Sequence, residues 1–167
     1  MKIEFDITLN SRDIYRFSMY HAYTTSQGII SILIAVLCLF VSVRTYSSVE
    51  WTYTVLYAVF GVLFLFYIPI NLYLRSKHQI LASKELQNTL HYMVDAEGIH
   101  TSQNDASADL PWDAVYKMTA TRHNVLVYSN RVNAYIIPKS QIAKEYDGLW
   151  QIAGAHLPDY RLKQKKK

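Results

Sequence analysis

Charge is missing from two long stretches of this 167-residue chain: residues 28–43 and 51–74 contain no Asp, Glu, Lys, Arg or His. Glycine is scarce as well. The five glycines do not cluster, which excludes a glycine-rich loop that cradles a phosphate. The single cysteine, Cys38, excludes an intrachain disulfide and lies inside the first uncharged stretch, where it reads as a small apolar residue. There is no CxxC, HExxH or GxSxG motif. The six histidines, His21, His78, His91, His100, His123 and His156, lack metal-ligand spacing; His91 and His100, which flank a turn at Glu97-Gly98, come nearest to a pair but would need further ligands. Asp95, Glu97, Asp105, Asp109 and Asp113 fall at turns or strand edges, where solvated roles are ordinary. These absences predict no enzyme, no metal and no cofactor. The first 23 residues are polar and patterned rather than a basic start followed at once by an apolar run, so no cleaved leader is expected.

What is present is a strong division of hydropathy. The near-neutral average conceals apolar residues crowded between about 28 and 74. Extended back to Thr24, the first run covers residues 24–43 and ends at Arg44; the second covers 51–74 and ends at Arg75. About 20 residues cross a ~30 Å hydrocarbon core, and 24 residues rise about 36 Å, so both runs are long enough to span. Trp51 and Tyr53 at one end of the second run, and Tyr67 and Tyr73 near the other, are suited to the headgroup level, with Arg44 and Arg75 as further interface anchors. Pro69 predicts a kink in the last turn. The short connection, residues 44–50, requires antiparallel neighbours. Arg12 and Arg16 flank one end of this two-helix hairpin, with Arg75, Lys77 and Lys84 beyond the other, while the connection holds Arg44 opposed by Glu50. The positive-inside rule then predicts a multi-pass protein of the plasma membrane with both termini cytoplasmic. An uncharged intramembrane region argues against an ion or proton pathway built by this chain alone.

The remaining segments read as a small α+β domain. Ile3, Phe5, Ile7 and Leu9 alternate with Lys2, Glu4, Asp6 and Thr8, the pattern of a half-buried strand. A lone strand needs a sheet, and the sheet available lies in the C-terminal part. Asn10 and Ser11 are suited to cap a short aromatic interfacial helix that carries Tyr15, Phe17, Tyr20 and Tyr23. Residues 75–87 read as a helical linker. Short strands follow at Leu90 to Val94, from Ile99, at Ala108 to Leu110, at Val115 to Thr119, at Val125 to Tyr128 and at Ala134 to Ile137, with turns at Asn104-Asp105, His123-Asn124 and Asn130-Arg131. A helix is expected from about Gln141 to His156, and the order of strands then helix predicts an antiparallel sheet covered by that helix. The resulting organisation is 1–23 (strand and interfacial helix), 24–74 (hairpin), 75–87 (linker), 88–157 (domain) and 158–167 (basic tail).

Three short signatures stand in order behind the hairpin: Asp95-Ala-Glu-Gly-Ile99, Leu110-Pro-Trp-Asp-Ala-Val115 and Ile136-Ile-Pro-Lys139. With the N-terminal strand and the two spans, they make nearly the whole chain resemble the YcxB-like family of bacterial membrane proteins. The C-terminal part is also similar to bacterial pleckstrin-homology-like domains. The resemblance implies the architecture and a membrane location; it implies no activity and no catalytic residue.

Two functions from different classes fit these features. One is a membrane-tethered binding module that presents its PH-like domain to a protein partner or to anionic lipid. The other is an accessory, regulatory or immunity-type subunit that acts through its hairpin. Trp112, after Pro111, is expected in the core. Lys139 and the basic residues Arg161, Lys163, Lys165, Lys166 and Lys167 are the candidate contacts for lipid or partner. The expected partners are the bilayer and a membrane or cytoplasmic protein, with a homo-oligomer left open; no basic face interleaved with aromatics points to nucleic acid.

Overall fold

The computed structural model describes the chain apart from Met1, Asp105 and residues 165–167, and apart from the side chains of Gln27, Lys84 and Glu85. It divides into two compact units: residues 1–17 with 80–167, and residues 18–79.

The first unit is discontinuous in sequence. Strand β1 (Ile3–Ile7) precedes everything apolar, yet it pairs antiparallel with β2 (Leu90–Val94), and the register sets Ile7 opposite Leu90 and Phe5 opposite Tyr92. The N-terminal strand therefore joins the C-terminal sheet, as its alternation requires. β3 (Gly98–Gln103) and β4 (Ala106–Pro111) complete a sheet ordered β1-β2-β3-β4. A 3-10 turn (Trp112–Ala114) leads to β5 (Lys117–Ala120), β6 (Asn124–Tyr128) and β7 (Ala134–Pro138). These form a second sheet ordered β7-β6-β5-β8, in which β8 (Leu162–Lys163) runs parallel to β5. One apolar core serves both sheets: Phe5, Tyr92, Val94 and Ile99 from the first meet Met118, Val125, Val127 and Ile137 from the second. Leu149, Ile152 and Ala153 of helix α5 (Tyr146–His156) close it.

Helix α5 begins five residues later than the periodicity predicts. Gln141 is taken out of the helix because its amide clamps the backbone of Thr8: Oε1 accepts from the Thr8 N–H at 2.9 Å, and Nε2 donates to the Thr8 carbonyl at 2.9 Å. In this way a side chain extends the pairing of β1 by one residue.

Helix α1 (Ser11–Thr24) starts under a reciprocal cap. Asn10 Oδ1 accepts from the N–H groups of Arg12 and Asp13, and the Asp13 carboxylate accepts from the Asn10 N–H at 3.3 Å. Asp13 and Ile14 are buried, and buried Asn124 donates from Nδ2 to the Asp13 carbonyl at 3.4 Å. The first turn of α1 is thus tied to the start of β6.

The second unit is built by α2 (Ser26–Thr45) and α3 (Trp51–Ala82). Two helices here, within Gly28–Thr45 and Trp51–Ala82, are long and apolar enough to cross a membrane. Two serine hydroxyls bond from one helix to the other. Ser42 Oγ donates to the Thr54 carbonyl at 2.9 Å and Ser31 Oγ to that of Phe64 at 3.2 Å. Gly61 permits close approach: a Cβ there would stand 2.7 Å from Leu39 Cγ. No separate linker helix starts at Arg75. Helix α3 continues through Pro69 and Leu74 to Ala82, because residues 75–82 contain no glycine or proline to stop it; α4 (Lys84–Gln87) follows as a single turn. Ser76 Oγ bonds back to the Leu72 carbonyl at 2.7 Å.

Candidate functional site

The first two signatures meet at one end of the first sheet. Asp95 closes the β2–β3 turn, its Oδ1 accepting from the N–H groups of Glu97 at 2.8 Å and Gly98 at 3.3 Å. The Trp112 indole Nε1 donates to the Asp95 carbonyl at 2.9 Å. Gly98 is needed because the chain passes close to β4: a Cβ would lie 2.4 Å from the Leu110 carbonyl oxygen. Trp112 is buried within the core, and its outer edge stacks on His156 with ring centroids 5.7 Å apart. A cavity of about 180 Å³ beside this pair is lined by Ala96, Gln151, Ile152, Ala155 and His156. These contacts are those of a turn pinned to a core, and they account for Asp95, Gly98 and Trp112 in the two signatures.

His100 sits beside this turn between two carboxylates, with Nδ1 2.6 Å from Asp109 Oδ1 and Nε2 3.4 Å from Asp95 Oδ1. The Asp109 contact holds the imidazole above its ordinary range, and Asp95 adds to this against a loss of hydration. The Glu97 N–H in turn holds the Asp95 carboxyl low. His91 and His100 do not face each other, because the register sets His91 opposite Ser102 and His100 opposite Met93. Each pairs with an aspartate, His91 with Asp6 at 2.7 Å. No group of three residues suited to a metal occurs among the described residues.

The third signature leads elsewhere. Lys139 follows β7, and its N–H donates to the His123 carbonyl at 2.9 Å, which sets Lys139 against the β5–β6 turn. Thr121 closes that turn, its N–H and Oγ1 both donating to the Asn124 carbonyl. Arg122 and His123 at its tip are exposed. The Asn124 bond to Asp13 brings α1 to the same place, and Arg16 Nη1 lies 3.8 Å from Asp13 Oδ1. Desolvation, then the charges of Arg16, Arg122 and Lys139, hold the His123 imidazole below its ordinary range, with Asp13 opposing. The ammonium of Lys139 also lies 5.2 Å above the Tyr146 ring.

The expected basic residues are not brought together. Lys139 belongs to the β7 edge of the second sheet and Lys163 to the opposite β8 edge. Arg161 and Lys163, expected in a tail, lie in folded structure: Arg161 Nη1 donates to the Val115 carbonyl at 3.0 Å, and Lys163 pairs with Thr119 in the parallel strand. The expectations for Lys165, Lys166, Lys167 and Asp105 fall outside the described residues. Trp51, Tyr53, Tyr67 and Tyr73 are all exposed along α3, as are Arg44 and Arg75, and Lys77 Nζ stands 4.8 Å from the Tyr73 ring. Sequence reasoning placed His123 in a turn and did not single out Arg122 beside it. Their signal was a basic pair in a turn, and its meaning depended on two distant segments arriving beside it.

The family model described as YcxB-like protein matches residues 94–149, from the last residue of β2 into α5. The resemblance drawn from the three signatures therefore holds over that segment, about a third of the chain, and the hairpin and β1 lie outside the match. No curated protein and no solved structure matches the chain.

Proposed function

We propose, taking residues 94–149 as a YcxB-like segment, that this chain is a multi-pass membrane protein whose sandwich serves as a PH-like binding module on the cytoplasmic face. The observation that carries the reading is the insertion of two helices with long uncharged apolar spans between strands that pair with each other, Ile7 opposite Leu90. Both ends of the hairpin therefore belong to one folded domain, and two crossings return the chain to the side it left. In the apolar 18-residue stretch of each candidate span 17% and 6% of the residues are buried, where the core helix of a soluble protein would be mostly covered. Arg12, Arg16, Arg75 and Lys77 flank the apolar segments on the domain's side, and Arg44 opposed by Glu50 occupies the connection, which favours the cytoplasm for the domain. Two packed, mostly antiparallel sheets closed by α5 support the PH-like reading. The absence of charge from the spans favours an anchor over a conduit.

Deleting the hairpin tests the reading. Replacing residues 18–79 with a flexible Gly/Ser linker of about a dozen residues, which reaches roughly 19 Å, should yield a soluble folded sandwich. The full chain should stay with membranes after alkaline extraction. A full chain released by that treatment contradicts the proposal.

A further inference from the structure

We propose that Arg16, Arg122, His123 and Lys139 form a binding site for the phosphate of an anionic lipid headgroup. The inference rests on the membrane reading above and gives its binding module a ligand. Four groups from three separate segments converge, and specific bonds hold them there. The Lys139 N–H binds the His123 carbonyl at 2.9 Å, and Asn124 binds the Asp13 carbonyl at 3.4 Å. Arg16 lies one helical turn beyond Asp13 on α1. Three full positive charges meet one carboxylate, Asp13, which is buried and already accepts from the Asn10 N–H. Like charges so placed repel one another, and together with desolvation they hold the His123 imidazole below its ordinary range. A phosphate relieves that repulsion. It takes charge-assisted bonds from the guanidinium forks of Arg16 and Arg122, a point charge from Lys139 and an N–H from His123.

The placement along the chain selects a lipid as the source. Arg16 stands on α1, which ends at Thr24; Thr25 is extended, and α2, which carries the first apolar span, starts at Ser26. The helix carries Tyr15, Tyr20 and Tyr23, side chains suited to the headgroup layer, while Phe17 packs against Tyr128 of β6. With α1 lying in that layer, Arg16 is at the depth of lipid phosphate. Arg161 and Lys163 do not contribute, since they are held at the far edge of the second sheet.

The test uses the full chain in neutral detergent micelles, with bound lipid counted by native mass spectrometry after addition of phosphatidylglycerol, of phosphatidylcholine, or of inorganic pyrophosphate. Phosphatidylglycerol should be retained over phosphatidylcholine, and Arg122→Gln with Lys139→Gln should weaken its retention on the order of tenfold or more. Lys117→Gln with Arg131→Gln removes the same charge at the other end of β6 and should leave retention unchanged. Arg122→Lys should keep most of it. Should the first double variant lose its fold by circular dichroism, Arg16→Gln alone must still weaken retention. Displacement of the lipid by pyrophosphate supports the phosphate site and admits free phosphate compounds as ligands. Equal loss in both double variants, or no preference for phosphatidylglycerol, overturns the site while the membrane reading stands. A chain that stays soluble and monodisperse without detergent overturns the membrane reading and the site with it.

Discussion

The sandwich and the hairpin are both rich in large apolar residues, and they dispose of them in opposite ways. In the sandwich, Tyr92, Ile99, Met118 and Leu149 are each at most 2% exposed; β1 and β2 alternate so that one face of each is covered, and β6 is buried throughout. In the hairpin, Leu33, Phe40, Leu63 and Tyr67 are each more than half exposed, and apolar residues run around the whole circumference. The polar groups differ in the same sense. The sandwich joins residues far apart in sequence, such as Thr8 with Gln141 and Asn124 with Asp13. The hairpin bonds its hydroxyls to carbonyls within its own helices, as Ser42 does with Thr54. An element that satisfies its backbone groups internally and leaves its apolar side chains outward is suited to hydrocarbon. One chain thus carries regions suited to two solvents, and a charge should be costly in each for a different reason.

A buried charge should show the largest effect. Phe5 stacks on Tyr92 in the core, with ring centroids 5.3 Å apart. Phe5→Asp should destabilise the sandwich by several kcal/mol, on the order of 3–5, in denaturant unfolding of the linker-joined domain. Retained stability would mean that β1 is dispensable. Next in size is a charge on the outside of the hairpin. Leu63 is 57% exposed, so Leu63→Asp would be harmless on a water-facing helix. In a bilayer it should cost roughly 2.5–3.5 kcal/mol of insertion and lower the membrane-integrated fraction of the chain. Unchanged integration would erase the distinction between the two regions.

The smallest effect concerns pH in the sandwich. His100 has its folded-state value raised by Asp109 first and then Asp95, so protonation stabilises the fold. That contribution is fully present below 6.5, the value of an unperturbed imidazole, and is lost as pH rises through the raised folded value. The melting temperature of the parent domain should exceed that of His100→Gln most at acid pH, and the gap should narrow as pH increases. A gap that widens with pH would show that the aspartates do not favour the charged imidazole.

Sequence periodicity gave the elements of both regions because each depends on a pattern local to the chain: period two for β1 at Ile3, Phe5 and Ile7, and uniform apolar composition for α2 and α3. It failed where a side chain took a role set by a distant partner. Gln141 fits a helix by composition and is drawn out of one by Thr8, across 133 residues of sequence. The segment around Arg161 and Lys163 reads as a solvated tail, and the free edge of β5 captures it as β8. Nor does a pattern show that Arg122, remote in sequence from both Arg16 and Lys139, shares their neighbourhood at His123. Hydropathy defines an element; hydrogen bonds across long separations define the site.

The central claim is that the hairpin crosses a bilayer twice and returns the chain to the cytoplasmic sandwich. Single cysteines at Ser48→Cys, in the connection between α2 and α3, and at Ser102→Cys, on β3, test it in a Cys38→Ser background. With a membrane-impermeant thiol reagent on intact cells, the account predicts labelling at position 48 and none at position 102 until the cells are opened. Labelling at position 102 from outside intact cells would contradict it.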